Sequence, residues 1–194
     1  MRALILNGEE VDGLSLEQFS KNIREELKAN NFEVEEILLK EKKIADCLGC
    51  FDCWVKTPGI CIIDDYGRDA AEKLINSELL IYLTPVVFGS YSYQLKKALD
   101  RMIPLISPFF TKVKGEVHHK KRYPNYPSLL GIGIIEEKNK KQNKIFKELV
   151  KRNGINFHSA YIETEIFDSA AAFNAEELRK IVRKISEKVG EQNE

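Results

Sequence analysis

The sequence predicts an α/β protein: a three-layer α/β/α sandwich built on a five-stranded parallel sheet. Three observations predict it. Apolar runs of strand length alternate five times with stretches whose apolar residues recur at helical spacing, and parallel neighbours need such crossovers. Two runs, 79–83 and 129–135, hold no charged residue at all, as strands buried on both faces do. The chain has 194 residues, 43% hydrophobic and 31% charged, enough for one well-buried domain and short for two.

In chain order, residues 2–8 form an apolar run closed by Asn7-Gly8, a buried strand ending at a turn. Leu16, Phe19, Ile23 and Leu27 then mark a helix, with Ser15 as its expected N-cap and Asn30-Asn31 as its end. Phe32, Val34, Ile37 and Leu39 suggest a second strand, nearer an edge because Glu33, Glu35 and Glu36 lie among them. After a cysteine-rich stretch, Ala70, Ala71, Leu74 and Ile75 mark a helix over 67–76. The central strand at 79–83 follows and stops at Thr84-Pro85, and Leu95, Ala98, Leu99, Met102 and Ile103 give the next helix stripe. Residues 104–127 hold four of the six prolines and read as an irregular insertion. A fourth strand lies at 129–135, then a helix through Ile145, Phe146, Leu149 and Val150 that is expected to stop at Asn153-Gly154. The last strand is expected within 155–166, with Phe157 and Tyr161 in it. Leu178, Ile181, Val182, Ile185 and Val189 form the closing helix, followed by a polar tail from Gly190.

Five strands in this order fit the flavodoxin-like arrangement 2-1-3-4-5, in which ligands sit beyond the carboxyl ends of the strands. The expected organisation is a single domain over 1–194, with the cysteine-rich loop at 47–65 and the insertion at 104–127. Lys+Arg and Asp+Glu both count 30, so no global field recruits nucleic acid or a membrane surface. No apolar run approaches a membrane span and the chain opens directly on a strand, so a cytoplasmic location is expected.

All four cysteines cluster as Cys47, Cys50, Cys53 and Cys61, a C-x2-C-x2-C-x7-C pattern, with Pro58-Gly59 able to fold the longer gap back. In a reducing compartment such a cluster points to metal, cluster or redox work before structural disulfides. The spacing suits an iron-sulfur cluster, zinc, a redox disulfide, or a loop that packs without metal under Phe51 and Trp54. No Ser-His-Asp set, Walker loop or HExxH motif is visible, and no catalytic side chain is assigned.

After the third strand, Thr84, Pro85, Val86, Val87, Phe88, Gly89, Ser90 and Tyr91 lead into Gln94-Leu95-Lys96 and Asp100-Arg101. This stretch closely resembles the flavin-ring loop and following helix of the NAD(P)H-dependent FMN reductase superfamily. Together with the four cysteines and Asp64-Asp65, it makes the chain resemble the iron-sulfur flavoprotein branch of that superfamily. The resemblance implies that residues 84–91 surround the isoalloxazine of FMN, with Gly89 letting the backbone approach it. It also implies that Cys47, Cys50, Cys53 and Cys61 ligate a [4Fe-4S] cluster exchanging electrons with the flavin. NAD(P)H or a protein redox partner would supply the electrons, the basic run 118–122 is a candidate for the dinucleotide phosphates, and Tyr91 and Tyr93 are candidates to cover the flavin. A homodimer or larger homo-oligomer is expected, because Leu105, Ile106, Phe109 and Phe110 look exposed in the insertion.

The first loop departs from the superfamily pattern N-G-S-P-R-x-x-G-N-T. Here Asn7-Gly8-Glu9-Glu10-Val11-Asp12-Gly13-Leu14-Ser15 keeps Gly8, and Ser15 stands in for the helix-start Thr. Glu9 and Val11 replace the Ser and Arg, so three carboxylates lie where the resemblance puts a phosphate dianion. A like-charge pair about 4 Å apart costs roughly 1–4 kcal/mol, depending on screening. The alternative to an FMN-dependent oxidoreductase is therefore a flavodoxin-like, non-catalytic binding module with a degenerate phosphate site.

Overall fold

In the computed structural model, which describes residues 1–113, 115–136, 139–169 and 173–192, a parallel sheet is sandwiched between helices. In chain order the elements are β1 (Arg2–Asn7), α1 (Glu17–Ala29), β2 (Glu33–Leu38), the one-turn α2 (Asp52–Val55), α3 (Tyr66–Ile75), β3 (Leu79–Pro85) and α4 (Tyr93–Asp100). There follow β4 (Ile106–Val113), β5 (Glu116–Lys121), β6 (Ser128–Ile135), α5 (Lys140–Asn156), β7 (Ile162–Asp168) and α6 (Ala175–Gln192). The sheet runs β2-β1-β3-β6-β7, with every neighbouring pair parallel.

The pleat explains the layers. Successive side chains of a strand point to opposite faces, so one strand feeds two cores. Ala3 and Ile5 of β1, with Ile81 and Leu83 of β3, pack on Phe19 and Ile23 of α1 and on Val182 and Ile185 of α6. Leu4, Leu6, Leu80 and Tyr82 turn the other way, onto Ala70 and Leu74 of α3, Leu95 of α4 and Phe146 of α5. Each fully buried aliphatic side chain contributes roughly 1.5–3 kcal/mol. Both cores hold β1 and β3 as neighbours, while α1 leaves β1 on one face and α4 leaves β3 on the other. That divergence marks the topological switch point at the carboxyl edge of the sheet, the crevice where doubly wound folds take ligands.

The structure corrects five of these expectations. The stretch 104–127 is not irregular: β4 and β5 pair antiparallel with a register shift between Ile106 and Phe110, near Pro108. Helix α5 does not stop at Asn153-Gly154 but runs to Asn156. Gly154 serves close packing instead, since a Cβ there would lie 2.6 Å from the Ile162 side chain. The chain turns at His158, with φ 53°, so Phe157 and Tyr161 precede the last strand rather than lie in it. Helix α6 continues through Gly190 to Gln192, where a polar tail was expected. Leu105 and Ile106 are buried, whereas Phe109 and Phe110 are exposed as expected.

Candidate functional site

The crevice is walled by two loops tied to each other. Gly8 N–H donates to the Leu83 carbonyl at 2.8 Å, and the Ser92 hydroxyl donates to the Gly8 carbonyl at 2.6 Å. A Cβ on Gly8 would meet Ser92 Oγ at 2.7 Å and Leu95 Cβ at 2.9 Å, so only glycine allows this approach. Ser92 also caps α4, accepting from Leu95 N–H, and its own N–H is taken by the buried Thr84 hydroxyl at 3.0 Å. Thr84 Oγ1 in turn donates to the Pro85 carbonyl at 2.9 Å. Gly8 and Thr84 thus join the two loops.

Beyond Pro85 the chain folds into a tight turn. Val87 and Ser90 exchange both backbone hydrogen bonds, at 3.0 and 2.9 Å, around Phe88 and Gly89 at φ 51° and 81°. Positive φ at both central residues is the two-residue hairpin geometry. It thrusts Phe88 into solvent, 89% exposed, with Val87 beside it. Val86 packs inward on the core. Gly89 differs from expectation: its missing side chain faces α5, where a Cβ would lie 3.0 Å from Ile145, not a ligand. Tyr91 also turns inward, packing edge-on against Tyr82 and Phe146 while its hydroxyl accepts from Asn153 Nδ2 at 2.9 Å. Burial pushes the Tyr91 phenol far above its usual range, so it stays neutral. Tyr93 is the exposed ring, and its hydroxyl donates to Asp46 at 3.2 Å, next to Cys47.

The first loop is closed from within. Glu9 Oε2 accepts from Leu16 N–H at 2.6 Å, at the start of α1, and Oε1 pairs with Lys40 Nζ at 2.5 Å. Ser15, the expected cap, is exposed and its hydroxyl reaches Glu17 N–H only at 3.4 Å. Burial pushes the Glu9 carboxyl up, but Lys40 and the Leu16 N–H outweigh it and hold it below the usual glutamate value. Glu10 accepts from Tyr93 N–H at 3.2 Å, at the start of α4. Asp12 and Val11 face solvent. At this edge the residues do not fit an FMN phosphate: a carboxylate already sits on the helix start.

The cysteine loop leaves β2 at the same edge and curls through Gly49 and Phe51, both at positive φ. All four cysteines are free thiols: Cys47 and Cys50 exposed, Cys61 half-buried, Cys53 buried. They line one apolar cavity of about 50 Å³ with Leu48, Ile63 and Arg101. Burial, then the neighbouring Cys61, Cys47 and Cys50, pushes the Cys53 thiol up. Among the described residues, no group of three or more His, Cys, Asp or Glu side chains is disposed to hold a single metal ion. Four cysteine thiols are the donor set that iron-sulfur clusters take.

A buried clasp holds this loop. Arg101, fully buried, pairs with Asp65 at 2.9 Å through both guanidinium nitrogens and donates to the carbonyls of Ala45 and Ile63. Asp65 also caps α3 through Gly67 N–H and accepts from Ala45 N–H. The motif Asp100-Arg101 was legible, but this role was not. The basic run 118–122 is largely committed to the fold. His118 faces Glu116, His119 Nδ1 lies 2.8 Å from the Ser107 carbonyl, and Arg122 donates to the carbonyls of Pro104 and Ile106.

With this geometry in view, the comparisons with known proteins are specific. A family model for NADPH-dependent FMN reductase matches residues 1–121, more than half of the chain. The chain belongs to that family. An iron-sulfur flavoprotein of Archaeoglobus fulgidus is 36% identical over 80 residues, covering 41% of this chain and 35% of that protein. The iron-sulfur flavoprotein of Methanosarcina thermophila is 28% identical over 105 residues, 54% of each. The matches thus span about half or less of these relatives' length. Among solved structures, an FMN-dependent NADH-azoreductase from Bacillus anthracis in complex with FMN superposes with a TM-score of 0.66, at 13% identity and 100% coverage of both chains. An NAD(P)H:quinone oxidoreductase from Methanothermobacter marburgensis gives 0.63 at 11% identity, covering 98% of this chain and 95% of that one. At such identities the likeness bears on the fold.

Proposed function

We propose that the protein is a flavin-dependent oxidoreductase of the FMN reductase family, with the flavin ring lying against the 85–90 turn. Its electrons come from NAD(P)H or a redox protein, and Cys47, Cys50, Cys53 and Cys61 hold a [4Fe-4S] cluster. One observation carries the reading: the exposed turn after β3 and the cysteine loop after β2 leave the same edge of the sheet, and Tyr93, just past the turn, donates to Asp46, next to Cys47. The bound flavin would supply hydride and single-electron chemistry. The chain's own residues bind and orient. Phe88 and Val87 offer an exposed apolar surface that a flat heterocycle covers. Arg101 and Asp65 fix the cysteine loop against α4, which fixes the distance between the thiols and the ring site. The whole chain is read as one domain that works in a reducing compartment such as the cytoplasm, and no helix among the described residues is long and apolar enough to cross a membrane. A homodimer is supported by the exposed Phe109, Phe110 and Val117 on the hairpin.

The second reading, a non-catalytic binding module, is favoured by Glu9 on the start of α1. Protein purified without oxygen separates the two. A two-banded flavin spectrum, a brown background with iron and acid-labile sulfide, and NAD(P)H oxidation on adding an acceptor are expected. Colourless protein that stays colourless with either FMN or riboflavin would establish the binding module.

A further inference from the structure

We propose that Glu9 is a built-in substitute for the ligand's phosphate, so that this crevice takes a phosphate-free flavin of the riboflavin class in preference to FMN. The inference rests on the flavin reading above and specifies which flavin. In a doubly wound sheet the phosphate of a ligand in this crevice goes to the start of the helix after β1, where free N–H groups and the helix dipole attract it. Here that place has both parts of an anion site, a backbone donor and a cation. Both are engaged by Glu9, which receives Leu16 N–H at 2.6 Å and Lys40 at 2.5 Å. The Glu9 side chain is only 13% exposed, and Asn7 Oδ1 accepts its backbone N–H at 3.0 Å, which fixes where the side chain departs.

The charges then decide the ligand. With Glu9 in place, one carboxylate and one ammonium cancel. A phosphate dianion brought to the same spot meets no spare cation on this pair. It would have to displace a tethered carboxylate or sit beside it at like-charge distance. Glu10 adds a second carboxylate on the other wall, with Oε1 at 3.2 Å from Tyr93 N–H. A carboxylate only accepts hydrogen bonds. Riboflavin ends in a neutral hydroxyl, which can donate one, where FMN carries its phosphate. An ionised phosphate offers only more acceptors. Glu9 is therefore a specificity-determining residue, not a damaged remnant.

The test compares riboflavin and FMN by fluorescence titration on the full chain at neutral pH, with wild type and Glu9→Gln. Wild type is expected to bind riboflavin at least as tightly as FMN. Glu9→Gln is expected to tighten FMN binding about tenfold, one charge contact at roughly 1.4 kcal/mol, and to leave riboflavin within twofold. Wild type binding FMN tenfold tighter than riboflavin would overturn the proposal without any variant. Equal affinities, unchanged by the substitution, would also overturn it, since the phosphate would then lie clear of Glu9. Binding of neither flavin would remove the flavin reading itself.

Discussion

The loop after β1 and the loop carrying the cysteines leave neighbouring strands at the same edge of the sheet, yet they are satisfied in opposite ways. In the first, the carboxylates of Glu9 and Glu10 are each spent on a helix start, and Gly8 is packed so closely that no side chain fits. In the second, the backbone is clasped from below by Arg101 and Asp65, while above the clasp Leu48, Phe51, Val55 and Ile60 stand exposed beside free thiols. A loop that answers its own donors has little left for an anion. A loop that is clasped underneath and apolar on top keeps in solvent the kind of surface that binding covers.

The largest expected effect breaks the rigid underside. Asp65 receives four donors, from Arg101 twice, Ala45 and Gly67. Asp65→Asn points an amide N–H₂ into that set and strands a buried guanidinium. Losing one partner of a buried pair costs about 3–5 kcal/mol. Urea unfolding of Asp65→Asn against wild type reads this directly. A loss below about 1 kcal/mol would mean that the cysteine loop is held elsewhere, by Arg68 on the Cys61 carbonyl for instance.

A smaller effect separates the cysteine loop from its roof. Trp54 Nε1–H is shared between the carbonyls of Ile103 and Ile106, at 3.2 and 3.0 Å, and its ring lies between Phe51 and His119. Trp54→Phe keeps the ring contacts and removes the donor. The expected cost is roughly 1 kcal/mol, felt locally. Faster amide exchange at 50–60 with unchanged exchange in β3 is the signature, and uniform acceleration would contradict a local role.

What the sequence made legible follows from the range of the forces involved. The strands β1, β3 and β6 were visible because burial on both faces writes an unbroken apolar run. The hairpin was not, because Pro108 and the exposed Phe109, Phe110 and Val117 blur the two-residue alternation of β4 and β5. Gly154 was mistaken for a helix stop because the Ile162 side chain it makes room for belongs to the next strand, β7. At the site, the cysteine cluster is a local pattern and could be read. Glu9 as the anchor of α1 is seven residues from its donor and thirty-one from its cation. The one available clue was the strand order itself, since a β2-β1 pairing brings Lys40, just past β2, beside the loop after β1.

The smallest effect sharpens the claim about the closed loop, and its sign is fixed by the direction of one shift. The folded Glu9 carboxyl lies below its unfolded value of 4.5 because Lys40 and Leu16 N–H outweigh the burial that raises it. A group depressed on folding stabilises the protein above its unfolded value and loses that contribution as pH falls through the folded value. Wild type should therefore exceed Glu9→Gln in stability by roughly 0.5 kcal/mol at pH 7. That gap should hold down to about pH 4.5 and close below it, as wild-type Glu9 takes up its proton. Urea midpoints for both proteins between pH 7 and pH 3 measure the gap. A gap that is absent at pH 7, or that widens in acid, would mean that Glu9 is not seated ionised on α1, and its claim to the phosphate position would fall with it.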